Sequence, residues 1–462
     1  MSGEPRRIHM VGIGGAGMSA LARLYLEQQI PVSGSDQVAS KALEDLTALG
    51  ALTYAGSDVE RVAGADLVVY SSAVPETDAE LQAARRLSIR TVKHAVALGE
   101  LFNARRGIAI AGTHGKTTTS SMVSLILERA GLRPSFHVGG ELVDLGTSAR
   151  WGEGEWFVVE ADEFDRRFLQ YQPEIATINN VEPDHFEYYG TYENMRGAFA
   201  DFLRCLRPNG TAVVWGEDSR VASLVEEVQP ARVVRFGLSS DDELWDVTGR
   251  DVELDADGAR FAVGADGEVA AIQLVVPGIH NVRNALAALT TAREAGVPLA
   301  DAARTLGAFH GARRRLQLLA DHAGIRVLDD YAHHPTAVRL MIEAMRRQVP
   351  TGGRLWAVFQ PHLRTRTEEL FDEFTGAFSG ADVALITDVY APRNREPDGE
   401  YRGAAELVQA TGHPRARHVP SLEEARRVLA AELCPGDVAL IMGAGTIEFL
   451  AQEVAHDVKL RA

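Results

Sequence analysis

Short, continuously apolar runs alternate with helical patterns along most of this chain. RIHMVGIGG leads into GMSALARLYLEQQ, and ADLVVYSSAV leads into TDAELQAARRL. A second series starts at GIAIAGT and continues through EWFVVEAD, EIATINNV and GTAVVWG. A third runs through IRVLDDYAHH, RLWAVFQP, ADVALITDVY and DVALIMGAG. Apolar runs without alternation, each followed by a helical period, predict strands covered on both faces, as in parallel α/β sheets. Between residues 231 and 276 the texture changes to short strands separated by Asp/Gly turns, which predicts an antiparallel layer. PGIHNVRNALAALTTAREAG then returns to helix. The pattern predicts an α/β fold of three domains. These are a Rossmann-like N-terminal domain (1–105), a P-loop-type central domain (106–310) with a mainly parallel sheet plus a small antiparallel layer, and a Rossmann-like C-terminal domain (311–462).

Composition narrows the class. A chain of 462 residues is too long for one core and suggests about three domains. With 46% hydrophobic and 24% charged residues it is globular in type. A net charge of −17 argues against a nucleic-acid partner, whose phosphates need Lys and Arg. An anionic ligand must instead be held locally, by glycine turns, helix N-termini and a few placed cations. No apolar run approaches the ~20 residues of a membrane span, and the N-terminus does not read as a signal peptide. Two cysteines, Cys205 and Cys434, make no disulfide framework or metal cluster. These features predict a soluble cytoplasmic protein with no membrane partner.

Two glycine turns carry the chemistry. Gly12-Ile-Gly14-Gly15-Ala-Gly17 closes the first strand and opens a helix, and Asp36 ends the next strand in VSGSD. Such a turn brings backbone N–H groups and a helix N-terminus to a pyrophosphate, and the acid can meet a ribose or base. A purely structural turn is the bland alternative, and the pattern leaves UDP-sugars and dinucleotides both open. The second turn is Gly112-Thr113-His114-Gly115-Lys116-Thr117-Thr118. It is one glycine short of the usual phosphate loop, yet it keeps the order of strand, Gly-Lys-Thr and helix. Lys116 is placed as a point charge for β- and γ-phosphate oxygens, and Thr117 as a hydroxyl ligand of Mg²⁺. WFVVEAD supplies the acid such a loop needs, Glu160 at the end of a buried-type strand, whereas Glu163 and Asp165 fit a solvated acidic loop. In TINNVEPDH the adjacent Asp184 and His185 end a further strand, which makes His185 a candidate second metal ligand.

The set GTHGKTTT, VVEADE, NNVEPDH, PGIHNVRNALAA, RRRLQ, DDYAHHP and FQPH...RT resembles the Mur ligases of peptidoglycan synthesis, in the family's order from about residue 7 to 450. The resemblance implies that the three domains take, in turn, a UDP-sugar, ATP and an incoming amino acid. Within the family, GIGGAGMSALA with VSGSD is the pattern of members that add L-alanine to the carboxylate of UDP-N-acetylmuramate. Carried over by position, Gly112, Thr113, His114, Gly115, Lys116, Thr117 and Thr118 hold the ATP phosphates. Thr117, Glu160 and His185 hold Mg²⁺, for which Mn²⁺ can substitute. His280, Asn281 and Asn284 match the adenine segment, Arg315 or its neighbour Arg314 the arginine at the γ-phosphate, and Asp330 a residue near the ribose. The UDP-sugar side falls on Gly14, Gly15, Ala16, Gly17, Met18, Ser35, Asp36, Ser71 and Ser72. Tyr331, His333, His334, His362 and Arg366 match the amino-acid and carboxylate side, with Lys116, Glu160, His185, Arg315 and His333 as the catalytic set.

Three departures stand out: no lysine near Ala200, where several relatives carry a carbamylated one, Leu363 in FQPHLRTRT where many members have arginine, and MGAGTI in place of MGAGDI. The resemblance implies a monomer or weak homodimer. Three other activities compete: a recycling ligase that adds a whole tripeptide to the same sugar nucleotide, a nicotinamide-dependent oxidoreductase built on Gly12, Gly14, Gly17 and Asp36, and a nucleotide-gated regulatory protein without turnover.

Overall fold

The computed structural model describes residues 7–241, 244–256, 258–391 and 399–461. Three sheets follow one another along the chain. The first has five parallel strands in the spatial order Leu52–Ala55, Val32–Asp36, Ile8–Val11, Leu67–Tyr70 and Arg90–Lys93. Chain order therefore reverses beside Ile8–Val11, at the point where open α/β sheets leave a crevice for ligands. The strands Ile8–Val11 and Leu67–Tyr70 are buried along their whole length, as their unbroken apolar runs require.

The second sheet has ten strands. At its centre Arg106–Ala111 lies between Trp156–Glu160 and Ile175–Ile178, all parallel, with Ile110 level with Glu160 and Ala111 level with Ile178. This register brings the loops after all three strands to one edge. The strands Val247–Asp255, Gly258–Ala265 and Glu268–Leu274 are antiparallel to one another, as the Asp/Gly texture suggests. They form the antiparallel end of this mixed sheet. Val247–Asp255 pairs in parallel with Arg232–Leu238, so the hairpins continue the same sheet. One face of these strands packs on the helices Ile279–Glu294 and Leu299–Leu306 and the other meets solvent, which explains their alternating pattern.

The third sheet has six strands in the order Gln317–His322, Ile325–Asp330, Val438–Met442, Leu355–Phe359, Val383–Thr387 and Ala416–Val419. All neighbours are parallel except the first pair. Asp330 and Phe359 both lie level with Met442, which sets Tyr331, Gln360 and Gly443 on the same edge. No helix among the described residues is long and apolar enough to cross a membrane.

Candidate active site

The edges of the three sheets face one cleft of about 1620 Å³. Its centre is the second glycine turn. Gly115 adopts φ +79°, where an L-residue is strained, and a Cβ there would run into the side chain of Asn284. The turn is held from the neighbouring strand end: Asn180 Oδ1 accepts from the His114 N–H at 2.8 Å, and Thr113 Oγ1 accepts from the Glu182 N–H at 2.8 Å. From this turn the helix Lys116–Arg129 enters the core, where Ser120 and Ser124 satisfy their hydroxyls on carbonyls one turn back.

Lys116 donates to both Glu163 carboxylate oxygens, at 2.9 and 2.7 Å, and to the Gly112 carbonyl at 2.6 Å. Burial acts to lower its pKa, but the carboxylates of Glu163, Asp162 and Glu160 outweigh burial and raise it, so the ammonium stays charged. Glu163 is only 1% exposed and so is no solvated loop residue, as the texture of VVEADE suggested. Neighbouring charge, which one-dimensional pattern does not carry, places it under the lysine. Asp165, by contrast, stays partly exposed.

Thr117 Oγ1 donates to Glu160 Oε1 at 3.1 Å and accepts from Arg315 Nη2 at 2.9 Å. Glu160 Oε2 also accepts from the Gly139 N–H at 2.6 Å. Of the two adjacent arginines, Arg315 crosses to the second glycine turn, whereas Arg314 is bound on the third sheet's side by Asp329, the Gly443 carbonyl and Glu448. Asp330, expected near a ribose, lines the cleft but spends its oxygens on the N–H groups of Leu316 and Ala332, each at 2.7 Å.

His185 sits at φ 54° in the left-handed region, with Nδ1 3.2 Å from Glu187 and Nε2 3.7 Å from Glu163. Its neighbour Asp184 forms a buried pair with Arg366 across the sheets, at 2.8 Å. Burial alone would raise the Asp184 carboxyl, but Arg366, His185, His334 and His333 hold it well below the usual range. Arg366, expected at a substrate carboxylate, is therefore committed to Asp184 and to the His362 carbonyl. His362 stacks on Tyr390. His334 caps the helix Pro335–Arg346 through Nδ1, with Nε2 3.1 Å from the Pro183 carbonyl. His333 Nδ1 lies 2.9 Å from the Tyr331 carbonyl, a contact only an N–H can satisfy, which leaves Nε2 as the acceptor. Burial and Arg366 hold its pKa well below the ordinary value, so the ring is neutral. Tyr331 itself lies under both arginines, 5.0 Å from Arg314 and 5.1 Å from Arg315.

Farther along, Trp215, Phe236, Val276 and Ile279 wall a part of the cleft into which His280 and Asn281 project. Nδ1 of His280 is buried with no hydrogen-bond partner, an arrangement suited to a ligand with its own polar edge. Asn281 and Asn284 are linked at 3.2 Å, and Asn284 meets Thr119 of the phosphate-turn helix at 3.4 Å. Thr118 is buried in the same helix.

At the first glycine turn, Ala16 and Ser72 line the cleft. Asp36 Oδ2 accepts from the Gly14 N–H at 2.8 Å and so braces the turn. Ser35 turns inward and donates to the buried Glu80, Ser71 bonds its own turn at the Ala73 N–H, and Met18 is buried in the core. Sequence reasoning missed Lys93 and Arg167 and took Glu163 for a solvated acid; the fold brings all three, with Asp162, to this cleft. The acidic repeat in VVEADE was the visible signal for the two acids, and no local pattern marks Lys93 or Arg167.

Models of three protein families match in sequence along the chain: "Mur ligase family, catalytic domain" at residues 7–106, "Mur ligase middle domain" at 110–292, and "Mur ligase, glutamate ligase domain" at 314–445. The UDP-N-acetylmuramate–L-alanine ligase of Symbiobacterium thermophilum is 41% identical, over 99% of this chain and 96% of its own. A protein of the same name from Acidithiobacillus ferrooxidans is 42% identical, over 97% of both. Among solved structures, the UDP-N-acetylmuramate–alanine ligase MurC of Thermotoga maritima superposes with a TM-score of 0.80 at 27% identity, over 98% of this chain and 99% of that one. A murein peptide ligase from Psychrobacter arcticus shares the fold, with a TM-score of 0.74 at 24% identity over 99% of each chain. The three domain matches, in order and carried by relatives along their full length, make this chain a member of the Mur ligase family.

Proposed function

We propose that this protein joins L-alanine to the carboxylate of UDP-N-acetylmuramate at the expense of ATP, through an acyl phosphate, in peptidoglycan precursor synthesis. Full-length kinship at about 40% identity with ligases of that name supports the reaction. The observation that carries the chemistry is Thr117, whose hydroxyl stands between the Glu160 carboxylate of the second sheet and the Arg315 guanidinium from the segment that leads into the third.

A carboxylate is a poor acyl donor because its leaving group would be oxide. Attack by its oxygen on the γ-phosphorus of ATP breaks the bond to ADP and makes an acyl phosphate. The amine nitrogen then attacks the carbonyl, and inorganic phosphate leaves. Such transfers need positioning and charge neutralisation more than covalent work by the protein. Lys116 and Arg315 both bring cations to this turn, Arg315 directly at the Thr117 hydroxyl. The walls formed by Trp215 and Phe236, with His280 and Asn281, suit the adenine. His333 presents a neutral ring with an acceptor nitrogen, fitted to orient the incoming amine rather than to act as a strong base, since its pKa is low.

The donor set fits Mg²⁺. A hydroxyl and a carboxylate 3.1 Å apart beside the phosphate turn are the hard oxygens that ion takes together with phosphate. Thr117 and Glu160 would hold one ion, and His185 would serve a second. The ion supplies charge neutralisation on the phosphate oxygens. The domain limits at 105/106 and 310/311, a cytoplasmic location, independence from nucleic acid and membrane, and a monomer or weak homodimer belong to the same proposal.

The test is phosphate release from ATP with each substrate omitted in turn. Turnover should need both UDP-N-acetylmuramate and L-alanine. Turnover without L-alanine but with the tripeptide would replace this reading by the recycling ligase, and none with any amine by a regulatory role. Asp36, spent on the Gly14 amide, gives the nicotinamide reading nothing specific to stand on.

A further inference from the structure

The first glycine turn has few amides to offer a ligand. The N–H groups of Gly12 and Ile13 both donate to the Ser35 carbonyl, at 2.8 and 2.9 Å. That of Gly14 donates to Asp36 at 2.8 Å, and that of Gly15 to the Gly12 carbonyl at 3.4 Å. The turn is consumed by its own geometry, and Asp36 adds a negative charge beside it. What remains is the opening of the helix Ala16–Glu27, whose dipole is worth about half an elementary charge. A diphosphate brings more negative charge than that, into a chain of net charge −17.

Two cations stand at this place. Lys93 directly precedes His94, whose ring Nε2 lies 3.0 Å from the Gly17 carbonyl, so the backbone next to Lys93 is anchored near the helix opening. Arg167 arrives from the second sheet's side: Nη2 donates to Ser72 Oγ at 2.9 Å and Nη1 to Asp162 Oδ2 at 3.1 Å. Its charge is close enough to disfavour protonation of His94. Both cations are tied to one loop, since Lys93 Nζ lies 3.8 Å from Asp165. In that loop Asp165 and Arg166 are consecutive left-handed residues, at φ 57° and 52°. L-residues avoid this backbone unless their surroundings impose it, and here it turns the chain so that Arg167 meets Ser72. Lys93, Arg167, Ala16 and Ser72 all line the cleft.

We propose that Lys93 and Arg167 form a cationic clamp, one arm from each of two domains, on the diphosphate of the sugar nucleotide. Arg167 exchanges Asp162 and Ser72 for phosphate oxygens when the ligand enters. The proposal rests on the reading that this side of the cleft takes a UDP-sugar.

Calorimetric titration of the full-length protein with UDP, without ATP, tests it. UDP carries the diphosphate but no sugar and no carboxylate. Arg167→Ala and Lys93→Ala should each weaken UDP binding about tenfold or more, and Arg167→Lys should recover part of the loss. Binding of the parent should weaken with added salt, and less so in either alanine variant. UDP affinity unchanged in both alanine variants overturns the clamp. So does a loss seen with UDP-N-acetylmuramate but not with UDP, since that would move the contact to the carboxylate. If Arg167→Ala does not fold, Lys93→Ala decides, because its half-exposed side chain is not part of any core. The functional reading is judged separately, by phosphate release from the parent protein: an inactive parent removes that reading, and an active parent with unchanged variants removes the clamp alone.

Discussion

The ammonium of Lys116 and the carboxylate of Glu163 form a buried ion pair, 2.7 Å apart, beneath the second glycine turn. Removing one member leaves the other charge buried and uncompensated, which costs about 3–5 kcal/mol. Lys116→Ala should therefore lower the melting temperature as well as stop turnover. The double variant with Glu163→Gln should regain stability and remain inactive. A double variant no more stable than the single one would show that the pair does not matter to the fold, and turnover surviving in Lys116→Ala would remove the lysine from the mechanism.

Arg315 and Arg314 are neighbours with opposite attachments, and their variants should separate accordingly. Arg315→Ala loses a cation at Thr117 and should lower kcat by about a hundredfold to a thousandfold with KM for the sugar nucleotide unchanged. Arg314→Ala breaks contacts to Asp329, Gly443 and Glu448 and should chiefly lower the melting temperature. Steady-state kinetics and thermal melts on both proteins check this, and equal kinetic damage from both changes would sink the assignment.

Asp184 and Arg366, 182 residues apart and both buried, bind the second sheet's loops to the third. Asp184→Asn and Arg366→Met should each destabilise by about 3 kcal/mol or more, and the double variant by much less than their sum. Additive losses in urea or thermal unfolding would mean that the two residues act apart.

Turnover should vanish on chelation of divalent ions and return with Mg²⁺ or Mn²⁺. His185→Ala should raise the Mg²⁺ concentration needed for half-maximal rate, and Thr117→Val should do the same. A titration identical to the parent's would strike the altered residue from the ligand set.

Among the described residues, His94, His137, His280, His333 and His334 have pKa values lowered chiefly by burial. Burial and then His137 take His94 to about 3, burial and Arg283 take His280 to about 4, and burial with His114 takes His334 to about 4. Each folded value lies below the unfolded value of about 6.5, so the unfolded chain binds protons first as pH falls. Their stabilisation is complete above about pH 6.5 and declines below it, by up to about 1.4 kcal/mol per histidine for each pH unit. Melting temperatures measured from pH 7 to 5 should fall, and His94→Gln should flatten the fall. Identical slopes for parent and variant would show that His94 titrates normally.

Much of this protein was already determined by its sequence. Short apolar runs such as LVVY and VALIM, bounded by turns and helical patterns, read as buried strands and are strands, and the order strand, Gly112–Thr118, helix is legible as well, because these signals are local. The tertiary structure alone decided which charges meet. Glu163 looks like a solvent acid in one dimension and becomes the buried partner of Lys116. Arg366, which lines the cleft, also braces Asp184, and Arg167 reaches Ser72 across 95 residues. Hydrophobic period is a property of neighbours in the chain, whereas Coulomb and hydrogen-bond partners are neighbours in space, set only when three sheets bring their edges to one cleft.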